Sequence, residues 1–149
     1  MNKLRLLLCC FVAVLALTGC RHNPAEDYVG DYDLQFDIYV EDLGTVYAAN
    51  ETFTIQLDGD EGAVVASCES FSLTGFVDDE GVHFNPYTVE TEREDGVSQA
   101  VYQSALASLS GNKLQWETPV SFHLQLNAGV TLDYDGRQSH VAKRVTVAQ

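Results

Sequence analysis

The chain has 149 residues, with eight basic side chains against 22 acidic ones and a formal net charge of −14. That balance excludes nucleic acid as a partner, since phosphate binding needs clustered Lys and Arg. It equally excludes electrostatic docking on anionic lipid. The length fits one domain.

The first residues carry an address. Lys3 and Arg5 are basic, Leu6 to Leu17 is apolar without a break, and Leu17-Thr18-Gly19-Cys20 closes the run. The apolar stretch is too short for a spanning helix, which needs about 20 residues. A basic start, a short apolar run and small residues at its end define a secretory signal. The tetrapeptide resembles a bacterial lipobox. That resemblance implies cleavage between Gly19 and Cys20, a diacylglyceryl thioether on Cys20 and acylation of the new amino terminus. One acyl chain binds a membrane only marginally, whereas several hold stably. The expected division is a signal peptide over 1–19, a lipidated tether over 20–29 with Pro24 in it, and a domain over 30–149. The expected location is the cell envelope, on the outer membrane, at its periplasmic or its exposed face. The alternative is a secreted chain with a chance Cys near its cleavage site.

After such cleavage all 22 acidic residues remain, with all but Lys3 and Arg5 of the eight basic ones, a formal balance of −16. The cysteines left are Cys20 and Cys68, so no disulfide framework is expected, and Cys68 reads as a small buried hydrophobe.

From Gly30 onward the pattern has period two. Tyr32, Leu34, Phe36, Ile38 and Val40 alternate with polar residues, the mark of a half-buried strand. Phe53, Ile55 and Leu57 form a second such run. Asp58–Gly62, Asp78–Gly81 and Glu94–Gly96 are turn signals between further short runs, and Pro86 ends one of them. Residues 97–109 read either way. Val101, Ala105 and Leu109 have helical spacing, while the flanking strands and short turns favour strand. After Gly111-Asn112, the residues Leu114, Trp116, Val120, Phe122, Leu124 and Leu126 share one face. Asn127-Ala128-Gly129 turns the chain, and Val130, Leu132 and Tyr134 face inward again. Asp135-Gly136 reads as one more turn before a last strand, His140 to Val147.

Eight to ten strands with short connections predict an all-β fold, an antiparallel up-and-down barrel of about eight strands, because closure removes exposed edges. A β-sandwich is the alternative.

Gly30-Asp31-Tyr32, the hairpin Val77 to Phe84 and the stretch Gly111 to Trp116 together resemble the calycins, the lipocalin-like group. Within it they resemble the small calycin-like β-barrel lipoproteins of Gram-negative gut bacteria. The resemblance implies an aromatic residue of the first strand capped by a basic residue of the last. Here Tyr32 stands where lipocalins carry Trp. Lys143 is in phase with Val141, Val145 and Val147, so it is the expected cation over the Tyr32 ring; the alternative is a lysine snorkelling from the rim.

Catalytic and metal chemistry has no signature. His22, His83, His123 and His140 lack zinc-pair spacing. Asp58-x-Asp60 lacks the later ligands of a calcium loop. No nucleophile elbow, Walker motif or dinucleotide fingerprint is present. Asp133 and Asp135 share a polar face rather than a cleft. The expectation is therefore a protein that is not an enzyme, with no cofactor beyond the Cys20 lipid and no metal. Its expected partners are the membrane and a small apolar ligand lined by Phe36, Trp116, Phe122 and Tyr134. Core packing by the same four side chains is the competing reading. A filled barrel serving as a structural subunit of an envelope complex is the alternative function.

Overall fold

The computed structural model describes residues 22–146. The expected signal peptide, the cleavage site at Gly19 and Cys20, and lipidation of Cys20 lie outside them. A 3₁₀ helix at Pro24–Asp27 is followed by ten strand segments: β1 Gly30–Val40, β2 Gly44–Leu57, β3 Ala63–Ser67, β4 Ser72–Val77, β5 Val82–Phe84, β6 Tyr87–Arg93, β7 Gly96–Tyr102, β8 Ala105–Ser110, β9 Lys113–Leu126 and β10 Thr131–Arg144. The protein is all-β, as its alternation predicts, and residues 97–109 are strand on either side of Gln103-Ser104.

Ten segments make eight barrel staves. β5 and β6 are one stave broken at Asn85-Pro86, where proline has no N–H to donate. β7 and β8 are another, broken at Gln103-Ser104 opposite Pro119. Tyr102 opposes Val120 while Ser108 opposes Gln115, so the register slips by one residue across that break. Both breaks act as bulges, and each switches the inward side chains from even to odd numbers or back. Val82 and Phe84 face in below the first break; Tyr87 and Val89 face in above it. The eight staves pair in sequence, all antiparallel, and β10 closes the ring on β1, with Phe36 opposite His140.

The staves differ in height. β1, β2, β9 and β10 run 11 to 14 residues, while β3 and β4 run 5 and 6. β3 pairs only with Thr54–Leu57 of β2. On its other side β4 pairs only with Val82–Phe84. The β3–β4 hairpin therefore stops at mid-height, and the wall above it is open between the β2 edge at Gly44–Phe53 and the β6 edge.

The closed end is built around Tyr32, which is fully buried. Its hydroxyl donates to the Tyr28 carbonyl at 2.6 Å and accepts from Arg144 Nη2 at 2.8 Å. The Arg144 guanidinium lies 5.3 Å from the ring centre and also donates to the Asp27 carbonyl. Asn23 Oδ1 caps the 3₁₀ helix at Ala25 N and reaches Gly62 N, both at 3.1 Å, so the helix plugs the barrel floor. Lys143, the cation expected over Tyr32, instead points to solvent, and Arg144 is the residue over the ring. The last strand also differs from expectation. Asp135-Gly136 is not a turn but lies within β10, and the inward residues are Gln138, His140, Ala142 and Arg144. Gly136 is needed at its place because a Cβ there would strike the Tyr39 carbonyl of β1.

Candidate functional site

The barrel interior divides at mid-height. Below, aromatic rings fill it. Trp116 lies between Phe53 at 5.4 Å and Phe84 at 5.3 Å, and stacks on His140 at 4.2 Å between ring centres, nearly parallel. Phe36 packs edge-on to Phe71 at 5.5 Å and lies over His140 at 6.1 Å. His140 opposes Trp116 across the β9–β10 pair because both occupy inward positions of paired strands. Burial among these rings pushes His140 down to about 3, so it is neutral at physiological pH. Tyr32, Phe53, Trp116 and His140 are each at most 5 % exposed in this packed half.

Above, the interior opens into a cup of about 350 Å³ lined by Ile38, Val46, Tyr102, Phe122, Leu124 and Tyr134. Arg93 stands on its lining but is held by Asp95 at 2.9 Å. The four sequence-predicted ligand residues are thus split. Phe122 and Tyr134 line the cup. Phe36 and Trp116 belong to the packed core, each at most 5 % exposed, with Phe36 reaching the boundary between the two zones. The cup also takes in Val89 and Thr91 of β6, which share one face by alternation, and Val46 on β2, which the alternation did not single out. Leu43, Val46, Tyr47 and Val89 are between 45 % and 59 % exposed, a ring of apolar side chains around the opening.

A second chamber of about 150 Å³ lies just behind the gap in the wall. Phe36, Tyr47, Phe71, Tyr87, Tyr102 and Gln138 surround it, and it shares Ile38, Val89 and Tyr102 with the cup. Tyr87 and Tyr102 stack at 4.3 Å as a cross-strand pair. Burial raises the phenol pKa of both. The sill of the gap is the β3–β4 loop, fastened to β2 by Glu51. Ser70 N donates to Glu51 Oε2 at 3.0 Å and the Ser70 hydroxyl donates to Oε1. Hydrogen bonds from Cys68 and then Ser70 lower the Glu51 pKa, while burial and the neighbouring Glu51 push the Cys68 thiol up to about 11.

Asp78, Glu80 and His83 bring three ligand-type atoms within 4.8 Å of one another on the β4–β5 hairpin, outside the barrel. Asp78 Oδ1 accepts from Glu80 N at 2.8 Å, which is ordinary turn chemistry. His83 lies flat on Phe76 at 4.6 Å, with Nε2 2.9 Å from Asp78 Oδ2 but off the line of a hydrogen bond. His123 pairs with Asp133 at 2.7 Å on the outer face, and Asp135 accepts from Ser121 nearby.

These features define an eight-stranded antiparallel β-barrel with a packed floor and an open apolar upper half. No protein-family model matches the chain, and no curated protein matches it. Among solved structures it is similar to a protein of unknown function from the DUF3598 family of Nostoc punctiforme. The TM-score is 0.37 and the identity 16 %, over 80 % of this chain and 48 % of that one. The chain thus spans about half the length of that relative.

Proposed function

We propose that this protein is a calycin-like envelope lipoprotein, anchored through Cys20, whose barrel binds a small apolar molecule without catalysis. The observation that carries the binding is the half-height β3–β4 hairpin. It leaves the upper interior unfilled, apolar and open to the outside, the form of a small-molecule site. The anchor rests on the sequence of residues 1–20. The 3₁₀ helix and the described amino terminus lie at the barrel floor, so an anchored chain would hold its cup away from the bilayer.

Titration of the full chain with the neutral fluorophore N-phenyl-1-naphthylamine tests the cup. The expected result is a saturable one-to-one rise in emission, weakened by Phe122→Asp and unaffected by Val97→Asp on the outer face. No saturable signal would remove the reading and leave the alternative, a scaffold presenting its acidic exterior to a protein partner. The filled lower half is what supports that alternative. Cys20→Ser tests the anchor separately: the variant should leave the membrane fraction.

A further inference from the structure

The chamber behind the gap holds a polar group that the packing does not account for. Gln138 is 2 % exposed, and its Oε1 has no hydrogen-bond partner. A buried amide oxygen without a partner is destabilising, and such groups call for an explanation. Gln138 stands on the inward face of β10, opposite the likewise buried Thr118. The rest of the wall is ring faces and aliphatic carbon, apart from the Tyr hydroxyls and Ser70 at the sill. A volume of about 150 Å³ is the size of cavity that takes up one benzene ring.

We propose that this chamber is the subsite for the aromatic head of the ligand: one ring carrying a hydroxyl or N–H, of the phenol or indole class. The ring enters through the gap above the β3–β4 loop and packs against Phe36, Phe71 and the Tyr87–Tyr102 stack, edge-to-face or offset. A turn of the Gln138 side chain brings its solvent-sealed Oε1 to accept from that O–H or N–H. Any apolar tail extends into the adjoining cup past Ile38 and Val89. This deepens the proposed function and rests on the same open upper half. It differs in assigning a polar determinant to one residue. Discrimination of this kind is stronger than that of an apolar pocket, because a ligand without the donor leaves the buried acceptor unpaired.

Phenol and toluene have nearly the same size and differ in the donor. Their binding to the full chain is compared by ligand-observed NMR, in the wild type and in Gln138→Met, which keeps the volume and removes the acceptor. The expected result is that the phenol-to-toluene affinity ratio falls about tenfold or more in Gln138→Met. In the wild type, the Gln138 side-chain amide signal shifts with phenol and not with toluene, a readout that stands even if the variant fails to fold. If both probes bind and the ratio is unchanged, or the amide signal shifts equally with both, the donor assignment falls and the cup survives. If neither probe binds while N-phenyl-1-naphthylamine still does, the subsite falls alone. If none of the three binds, both readings fall together.

Discussion

Arg144 and Tyr32 lock the barrel floor by two contacts at once: the guanidinium lies over the phenol ring at 5.3 Å, and its Nη2 donates to the hydroxyl of that same ring at 2.8 Å. The pair joins the first and last staves where Tyr32 and Arg144 are register partners. The hydroxyl passes the chain of bonds on to Tyr28, which fixes the plug. Closure of the barrel and attachment of the amino-terminal segment are therefore one device.

Removing the cation should loosen both. Arg144→Met is expected to destabilise the fold by about 2–4 kcal/mol, since it deletes the charge-assisted hydrogen bonds to the Tyr32 hydroxyl and the Asp27 carbonyl together with the cation over the ring. Lys143→Ala, one residue away on the outside, should stay within about 0.5 kcal/mol of wild type. Urea denaturation midpoints of the two variants check the contrast; equal losses would mean that the floor does not depend on Arg144.

His140 makes the stability pH-dependent. Its folded pKa, about 3, lies below the ordinary imidazole value near 6.5. Between those values the unfolded chain binds the extra proton and the folded one does not. Stability is therefore full above about pH 6.5 and falls as the pH drops toward 3. His140→Phe, which keeps a ring against Trp116, should flatten that part of the curve, read from thermal midpoints at pH 7 and pH 4.5.

Glu51 holds the sill of the gap, and its lowered pKa has the opposite chemistry with the same sign. Its carboxylate form favours the folded state, and the contribution is lost as the pH falls through its depressed pKa. Glu51→Gln should free the Cys68–Phe71 loop. Cys68, with a pKa near 11, carries only about one thiolate per thousand at pH 8 and should react slowly with iodoacetamide. Faster alkylation in Glu51→Gln than in wild type is the expected outcome.

Gly136 permits the close approach of β10 to β1. Gly136→Ala places a methyl against the Tyr39 carbonyl and should cost about 1–3 kcal/mol by overpacking. The measurement is again the denaturation midpoint, with Gly59→Ala unsuitable as a control because its φ of +75° adds backbone strain of its own.

Tyr32 to Val40 and Leu114 to Leu126 announce their inward faces by alternation, Tyr39 and Thr118 apart, and short turns with the need to cover edges extend the strands to a closed meander. That pattern reports hydrophobicity, however, and it misleads where the interior is polar. In β10 the inward residues include Gln138, His140 and Arg144, while the apolar Val141 in the strand and Val145 just past it lie outside and shift the apparent phase by one residue, onto Lys143. The stretch 97–109 is ambiguous for a related reason: the break at Gln103-Ser104 switches the inward parity, which erases period two and leaves a spacing of four.

The amino-acid order thus determined the strand content, the number of staves and the antiparallel path, because neighbouring side chains on a pleated backbone must sort to opposite faces. Tertiary structure alone decided that Arg144 reaches Tyr32, that Trp116 is sealed in while Tyr134 faces a cup, and that Gln138 lacks a partner. Those outcomes depend on register and stave height across the ring, which bring together residues more than a hundred positions apart, and no local periodicity encodes such distances.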